Sequence, residues 1–265
     1  MGKREKAFVL IVRILLISLF FVLWEWVARA KLYNPFFTSY PSEIIKDLVK
    51  FYISGDLVKH TAVTLREALS GLFYGTIIGV FLGLLLGQLQ ILGKILLPII
   101  TAIHGVPQLT LAPVYILWFG LGVTSKIFLA SLMVFFNVFF ATYDGIQNIE
   151  PKLIESSNLL GAGTIQTLWY VVLPSSMPWI LSGVRGGVGA CLIGAIIGEY
   201  MGASSGFGWM IAYATSYFNI ARVMSCIFIL LIVGIILNFM LDKVEIYFLR
   251  WRPTTKLSIS DRKNI

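Results

Sequence analysis

Charge is what this 265-residue sequence has least of: Asp, Glu, Lys and Arg make up 13% of it, where a soluble domain carries about 25%. A soluble body of this size could not clothe its surface with so few charges. Cysteine is nearly missing as well. Cys191 and Cys226 are the two present; they exclude a disulfide framework and read as small core residues in separate apolar stretches. With His60 and His104 the only histidines, no His/Cys/carboxylate grouping suggests a metal. A phosphate-binding loop is also lacking. The stretch from Gly87 to Lys94 has five residues between Gly87 and Gly93 where four are required, and Ile95 stands where Ser or Thr belongs. Gly202-Ala203-Ser204-Ser205-Gly206 spells a nucleophile elbow, but it follows an apolar helix instead of a strand, and both histidines lie far upstream. Aromatics at 14% exclude disorder. The net charge of +8 comes without the basic–aromatic interleaving of nucleic-acid binders, so it anchors loops against anionic lipid.

What is there is apolar sequence, 58% of the chain, arranged in long runs. A helix crosses the hydrocarbon core with about 20 such residues, and gaps between charges predict about six spans. They are Phe8–Val27, Ala68–Gly93, a broken third within Ile95–Ser125, then Ile127–Tyr143, Pro178–Gly198 and Val223–Leu241. The third is too long for one straight crossing and is interrupted by Pro98, Pro107 and Pro113, with polar His104, Gln108 and Thr110 between. The predicted class is an all-α, polytopic transmembrane helix bundle. The first span resembles a signal peptide, but Trp24-Glu25-Trp26 occupies the place of small residues, so an uncleaved anchor is expected. Six spans put both termini on one side. With that side cytoplasmic, ten basic residues face in and eight face out, which favours termini inside. Residues 1–64 thus read as an anchor plus an interfacial helix, 65–250 as a core, and 251–265 as a tail.

Three features stand out between and within the spans. Pro41 to Phe51 has apolar residues at 44, 45, 48, 49 and 51 and Ser42 as its expected N-cap, the pattern of an amphipathic helix on a membrane surface. Gly71, Gly75, Gly79, Gly83 and Gly87 recur every fourth residue, a spacing that lets membrane helices pack closely; Gly186, Ala190, Gly194 and Gly198 repeat it. Arg185 and Glu199 are the ionisable residues of the fifth span, and intramembrane charge is a functional signal by default. Finally, Pro151 suits a first helical turn and Gly161 the residue past a helix end. A second short helix capped by Thr164 would carry Ile165, Leu168, Trp169 and Val172 on one face until Pro174. Two short helices bent at a glycine form a docking surface for another protein.

This loop resembles that of ABC importer permease subunits, whose motif reads Glu-Ala-Ala, three residues, Gly, nine residues, Ile-x-Leu-Pro. Here Glu155-Ser156-Ser157, Gly161 and Val171-Val172-Leu173-Pro174 stand at that spacing. Pro107-x5-Pro113-Val-Tyr-Ile-Leu-Trp-Phe-Gly-Leu-Gly122, Leu173-Pro174-x3-Pro178-x4-Gly183-x-Arg185 and Glu199-Tyr-Met-Gly-x3-Gly206-Phe-Gly208 match the nitrate/sulfonate/taurine branch. The likeness covers roughly residues 35–250.

The resemblance implies a type I importer permease fold in a bacterial plasma membrane, and a subunit that is not itself an enzyme. It implies a second permease copy, two cytoplasmic ATPase subunits clamping the loop 150–174 and carrying ATP and magnesium, and an external solute-binding protein that delivers a small nutrient, either a nitrate-, sulfonate- or taurine-like anion or the uncharged vitamin-like cargo of close relatives. No cofactor is then expected on this chain, and no nucleic acid. His104, Pro107, Gln108, Thr110, Pro113, Arg185 and Glu199 are the candidates for the translocation path. The alternative is an ion-coupled secondary carrier or channel, which would transport without an ATPase.

Overall fold

The computed structural model describes residues 3–30 and 39–250; the expected tail 251–265 lies outside them. The described residues form helices joined by short turns. These are α1 (Lys3–Arg29), α2 (Pro41–Ile53), α3 (Asp56–Gln88), α4 (Gln90–His104), α5 (Ala112–Phe119), α6 (Val123–Gln147), α7 (Pro151–Leu159), α8 (Thr164–Thr167), α9 (Leu173–Gly202), α10 (Phe207–Ser216) and α11 (Ile220–Phe248). A 3-10 turn, Gln108–Leu111, precedes α5, and one π turn, Leu168–Val172, joins α8 to α9. Among the described residues five helices are long and apolar enough to cross a membrane, six if the pair broken at 105–107 counts as one span.

The helices outrun the charge gaps that suggested them. α3 starts at Asp56, well ahead of Ala68, because His60, Thr64 and Glu67 in its first turns are buried with partners instead of facing lipid. α6 takes in Lys126 for the same reason. α9 starts at Leu173 straight out of the π turn Leu168–Val172, so helical backbone runs on from Thr164 to Gly202 and Pro174, expected to stop the short helix, does not end it; Pro178 also lies inside α9.

The described residues fall into two compact units: one from 3–30, 39–71, 108–130 and 192–233, the other from 72–107, 131–191 and 234–250. The core of the first is Phe51 from α2, Phe207 and Met210 from α10, and Cys226 and Ile229 from α11. α2 is held to it by Arg222, whose Nε lies 2.8 Å from Asp47 Oδ2 and whose guanidinium sits 4.1 Å over the Phe51 ring. Tyr40, not Ser42, is the N-cap residue, and Pro41 opens the helix. Ser42 instead ties α2 to α1, donating its backbone N–H and hydroxyl to the Glu25 carboxylate at 3.0 and 2.8 Å. Ile44 and Phe51 face inward, while Ile45, Val49, Tyr52 and Ile53 point out.

In the second unit the glycine row of α3 runs beside α6. A Cβ added to Gly75 would lie 2.7 Å from Val134 Cβ, to Gly79 2.9 Å from Val138 Cβ, to Gly83 2.7 Å from Thr142 Cβ and to Gly87 2.7 Å from Ile146 Cδ1. Each step of four on one helix meets a step of four on the other, so the backbones approach along the row. Gly71, the first of the row, is buried in the other unit. Gly183 and Gly187 of α9 abut Ala141 and Val134, and Arg185 pairs across to α11, at 2.6 Å from Asp242 and with Glu245 beside it.

Candidate functional site

The loop after α6 builds one site within the second unit. Pro151 occupies the first turn of α7, and Gly161, at φ +80°, ends it in the left-handed conformation that costs other residues about 1–2 kcal/mol. The Ala162 N–H donates to the Ser157 carbonyl and the Gly161 N–H to the Asn158 carbonyl, both at 3.0 Å, the paired bonds of a Schellman turn. Ser157 is buried; its hydroxyl reaches the Ile154 carbonyl at 2.8 Å and lies 3.2 Å from the Thr167 hydroxyl, which pins α7 to α8. Glu155 and Ser156 are exposed. Gly163, not Thr164, is the N-cap of α8, and the Gln166 side-chain oxygen accepts its N–H at 2.9 Å. Val172 is buried, Leu168, Val171 and Leu173 are half-buried, while Ile165 and Trp169 stand out in the open. With Leu159 (88% exposed), Leu160 (89%) and Tyr170 they form an apolar surface around the bend. Pro174 follows in the first turn of α9.

Along the broken third span, His104 ends α4 with its ring 4.7 Å from that of Phe136. Pro107, Thr110 and Pro113 are exposed. Gln108 is buried and accepts a hydrogen bond from the Tyr115 hydroxyl at 3.1 Å.

A second site lies in the first unit, at the turn from α9 to α10. The first four amides of a helix have no intrahelical partner, and at α10 three of these four are met by side chains of other helices. The Gly206 N–H donates to His60 Nδ1 at 2.9 Å and the Phe207 N–H to Thr64 Oγ1 at 2.9 Å. Gly208 N–H donates to Glu199 Oε2 at 2.7 Å, and the Thr64 hydroxyl donates to Glu199 Oε1 at 2.7 Å. Glu199 is fully buried and both of its oxygens are engaged. Gly206 is required twice over: its φ is +103°, and any Cβ would overlap the Glu199 carboxyl. His60, expected to be remote from this turn, touches it, but its Nδ1 is occupied and its ring stacks on Trp209 at 5.4 Å. It is not placed as a base for Ser204.

Beside Glu199 sit two residues that the sequence alone did not single out. Glu67 is 1% exposed, and its Oε1 lies 3.9 Å from Nζ of Lys126, itself 6% exposed. Gly198 leaves room for Lys126, since a Cβ there would lie 2.8 Å from Lys126 Cγ. The available signal was position: Glu67 and Lys126 are the charges that bound two of the charge-free runs. Arg185 and Glu199, expected on one path, have separate partners.

Residues 75–245 match the family model described as binding-protein-dependent transport system inner membrane component. The chain belongs to this family. It is thus an ABC importer permease subunit, a multi-pass inner-membrane transport component. The permease is 30% identical over 239 residues to a putative aliphatic sulfonates transport permease of Bacillus subtilis, covering 90% of this chain and 87% of that one. It is 28% identical over 240 residues to a taurine transport system permease of Escherichia coli, covering 89% and 87%. Its fold is that of a chain of an inward-facing methionine ABC transporter, at TM-score 0.65 and 21% identity over 74% of the permease and 97% of that chain. This is the type I importer architecture expected from the sequence. Among the described residues no grouping of His, Cys, Asp and Glu could hold a metal ion.

Proposed function

We propose that this permease conducts a small anion of the sulfonate type into the cell, driven by cytoplasmic ATPase subunits that grip the loop 150–174. The observation that carries this reading is the Schellman bend at Gly161 with its exposed Leu159, Leu160, Ile165, Trp169 and Tyr170. An apolar surface of this kind on a rigid bend calls for a protein partner. Ser157 and Thr167 hold the two short helices as one body, so force applied to the bend passes to α9, which begins where the loop ends. Glu155, exposed on α7, is placed to accept a hydrogen bond from the ATPase.

In this reading both termini are cytoplasmic, a second copy of the permease completes the pathway, and an external binding protein delivers the solute. The broken segment with His104, Pro107, Gln108, Thr110 and Pro113 lines the path, since irregular backbone at membrane depth is tolerated where it is buried or borders a cavity. The glycine row of α3 is packing surface. The sulfonate class is supported by the relatives named for sulfonates and taurine.

Purification in mild detergent tests the assignment. An ATPase is expected to co-purify, and uptake in cells is expected to require ATP hydrolysis. Uptake with no ATPase, driven by an ion gradient, would make the chain a secondary carrier.

A further inference from the structure

The bonds that α2 makes within the first unit fix its depth. Its first turn is tied to the end of α1, where the Glu25 carboxylate that Ser42 meets lies one turn before Arg29 closes the helix. α1 is itself an apolar span whose side chains, Leu15, Phe20 and Trp26 among them, are turned outward. The middle of α2 is tied to the first turns of α11, through Asp47 to Arg222 and through the Ile44 carbonyl, which accepts from the Ser225 hydroxyl at 3.4 Å. Phe21 and Trp24 of α1 reach Phe228 of α11, with ring centroids 6.1 and 6.3 Å apart. One span ends and another begins at α2, so the helix sits at the level of lipid headgroups.

At about 3.6 residues per turn, the side chains of α2 fall into three sectors. Ile44, Leu48 and Phe51 face the core. Next around the axis come Tyr52, Ile45, Val49 and Ile53, all exposed. Lys46 and Lys50 follow, one turn apart and exposed on one side. The acids of this region are engaged within the protein: Glu25 with Ser42 and Arg29, Glu43 with the Ser39 hydroxyl, Asp47 with Arg222, and Asp56 with the Ser54 hydroxyl. Neither lysine has an acidic partner among the described residues. We propose that the outward face of α2 is a binding site for an anionic phospholipid. Ile45, Val49, Tyr52 and Ile53 enter the acyl boundary, and Lys46 and Lys50 hold the headgroup phosphate. The apolar and basic sectors adjoin, so a helix lying along the boundary sets one in hydrocarbon and the other among headgroups. A soluble protein partner would leave the exposed apolar sector, level with the end of α1, without the lipid it borders. The proposal needs only that this chain spans a membrane and stands apart from the importer reading.

The test uses the full-length permease, purified with the subunits that accompany it and reconstituted in phosphatidylcholine vesicles. Val49→Cys, at an exposed position, is labelled with the fluorophore NBD; Cys191 and Cys226 are buried and stay unlabelled. Spin-labelled phosphatidylglycerol is expected to quench the label with an affinity about fivefold or more above that of spin-labelled phosphatidylcholine, since each lysine near a headgroup contributes about fivefold. Adding Lys46→Gln and Lys50→Gln is expected to bring this ratio close to one while quenching by phosphatidylcholine is unchanged, and high salt is expected to do the same with the lysines in place. Equal quenching by the two lipids with both lysines present, or an unchanged ratio without them, would overturn the headgroup site. No quenching by either lipid would overturn the placement of this face in the membrane, and a label that responds only to added solute-binding protein would overturn it in favour of a protein partner. ATP-driven uptake and the co-purified ATPase are read separately, so the importer reading survives each of these failures.

Discussion

Thr64→Val replaces a hydroxyl by a methyl of the same shape, so its effect isolates two hydrogen bonds. Thr64 is 1% exposed, and its Oγ1 both donates to Glu199 Oε1 and accepts the Phe207 N–H. Valine leaves a carboxyl oxygen and a backbone amide unpaired in a site closed to water, each at about 1–3 kcal/mol. The sum is about 2–6 kcal/mol. At about 2–4 °C per kcal/mol for a chain of this size, the melting midpoint in detergent should fall by about 4–24 °C. Fluorescence-detected size exclusion of heated samples reads this directly. Thr61→Val is the control: its hydroxyl bonds only to the Leu57 carbonyl of its own helix at 2.7 Å, and its midpoint should stay at wild type. A Thr64→Val midpoint within about 2 °C of wild type would show that the side-chain capping of α10 does not hold this turn.

Gly79→Leu should destabilise by about 1–3 kcal/mol through overpacking against Val138, seen as a lower midpoint; an unchanged one would mean α3 and α6 do not meet there. Gly206→Ala forces a side chain into a left-handed backbone and into the Glu199 carboxyl. It should therefore sharply reduce the yield of folded protein, measured as the monodisperse fraction after extraction. Arg185→Met should leave complex assembly intact. Because Arg185 pairs at a half-exposed position with Asp242 and Glu245, its loss should fade at high salt in a melting series. Glu155→Ala, on the exposed side of α7, should lower uptake more than it lowers the ATPase recovered with the permease.

The parts of this structure that were legible in the sequence are those governed by local rules. Pro151 and Gly161 bracket α7 because a missing N–H is harmless at a helix start and a positive φ favours glycine at its end. The glycine row of α3 could be read because its spacing is periodic. Helix limits were less legible wherever a polar residue has a distant partner. Thr64 and Glu199 are 135 residues apart, and the Gly206 amide finds His60 from 146 residues away. Nothing near Glu67 or Lys126 in sequence reveals that each is buried beside the other. Capping at Ser42 and Thr164 was misplaced by one or two residues, because proline at 41 and the extended Gly163 moved the helix starts.

The central claim, that the bend at Gly161 is where an ATPase couples to this permease, is tested most directly by Gly161→Asp. A Cβ at 161 meets no atom of this chain within 4 Å, so the substitution brings no clash; its cost to the permease is the left-handed backbone at φ +80°, about 1–2 kcal/mol within the bend, and its side chain projects toward whatever docks there. Affinity-purified permease in mild detergent is assayed for co-purified ATPase, wild type against variant, with insertion checked by membrane yield. Normal insertion is expected, with ATPase recovered with the wild type and lost from the variant, and ATP-driven uptake abolished with it. Full ATPase recovery and wild-type uptake in Gly161→Asp would contradict it.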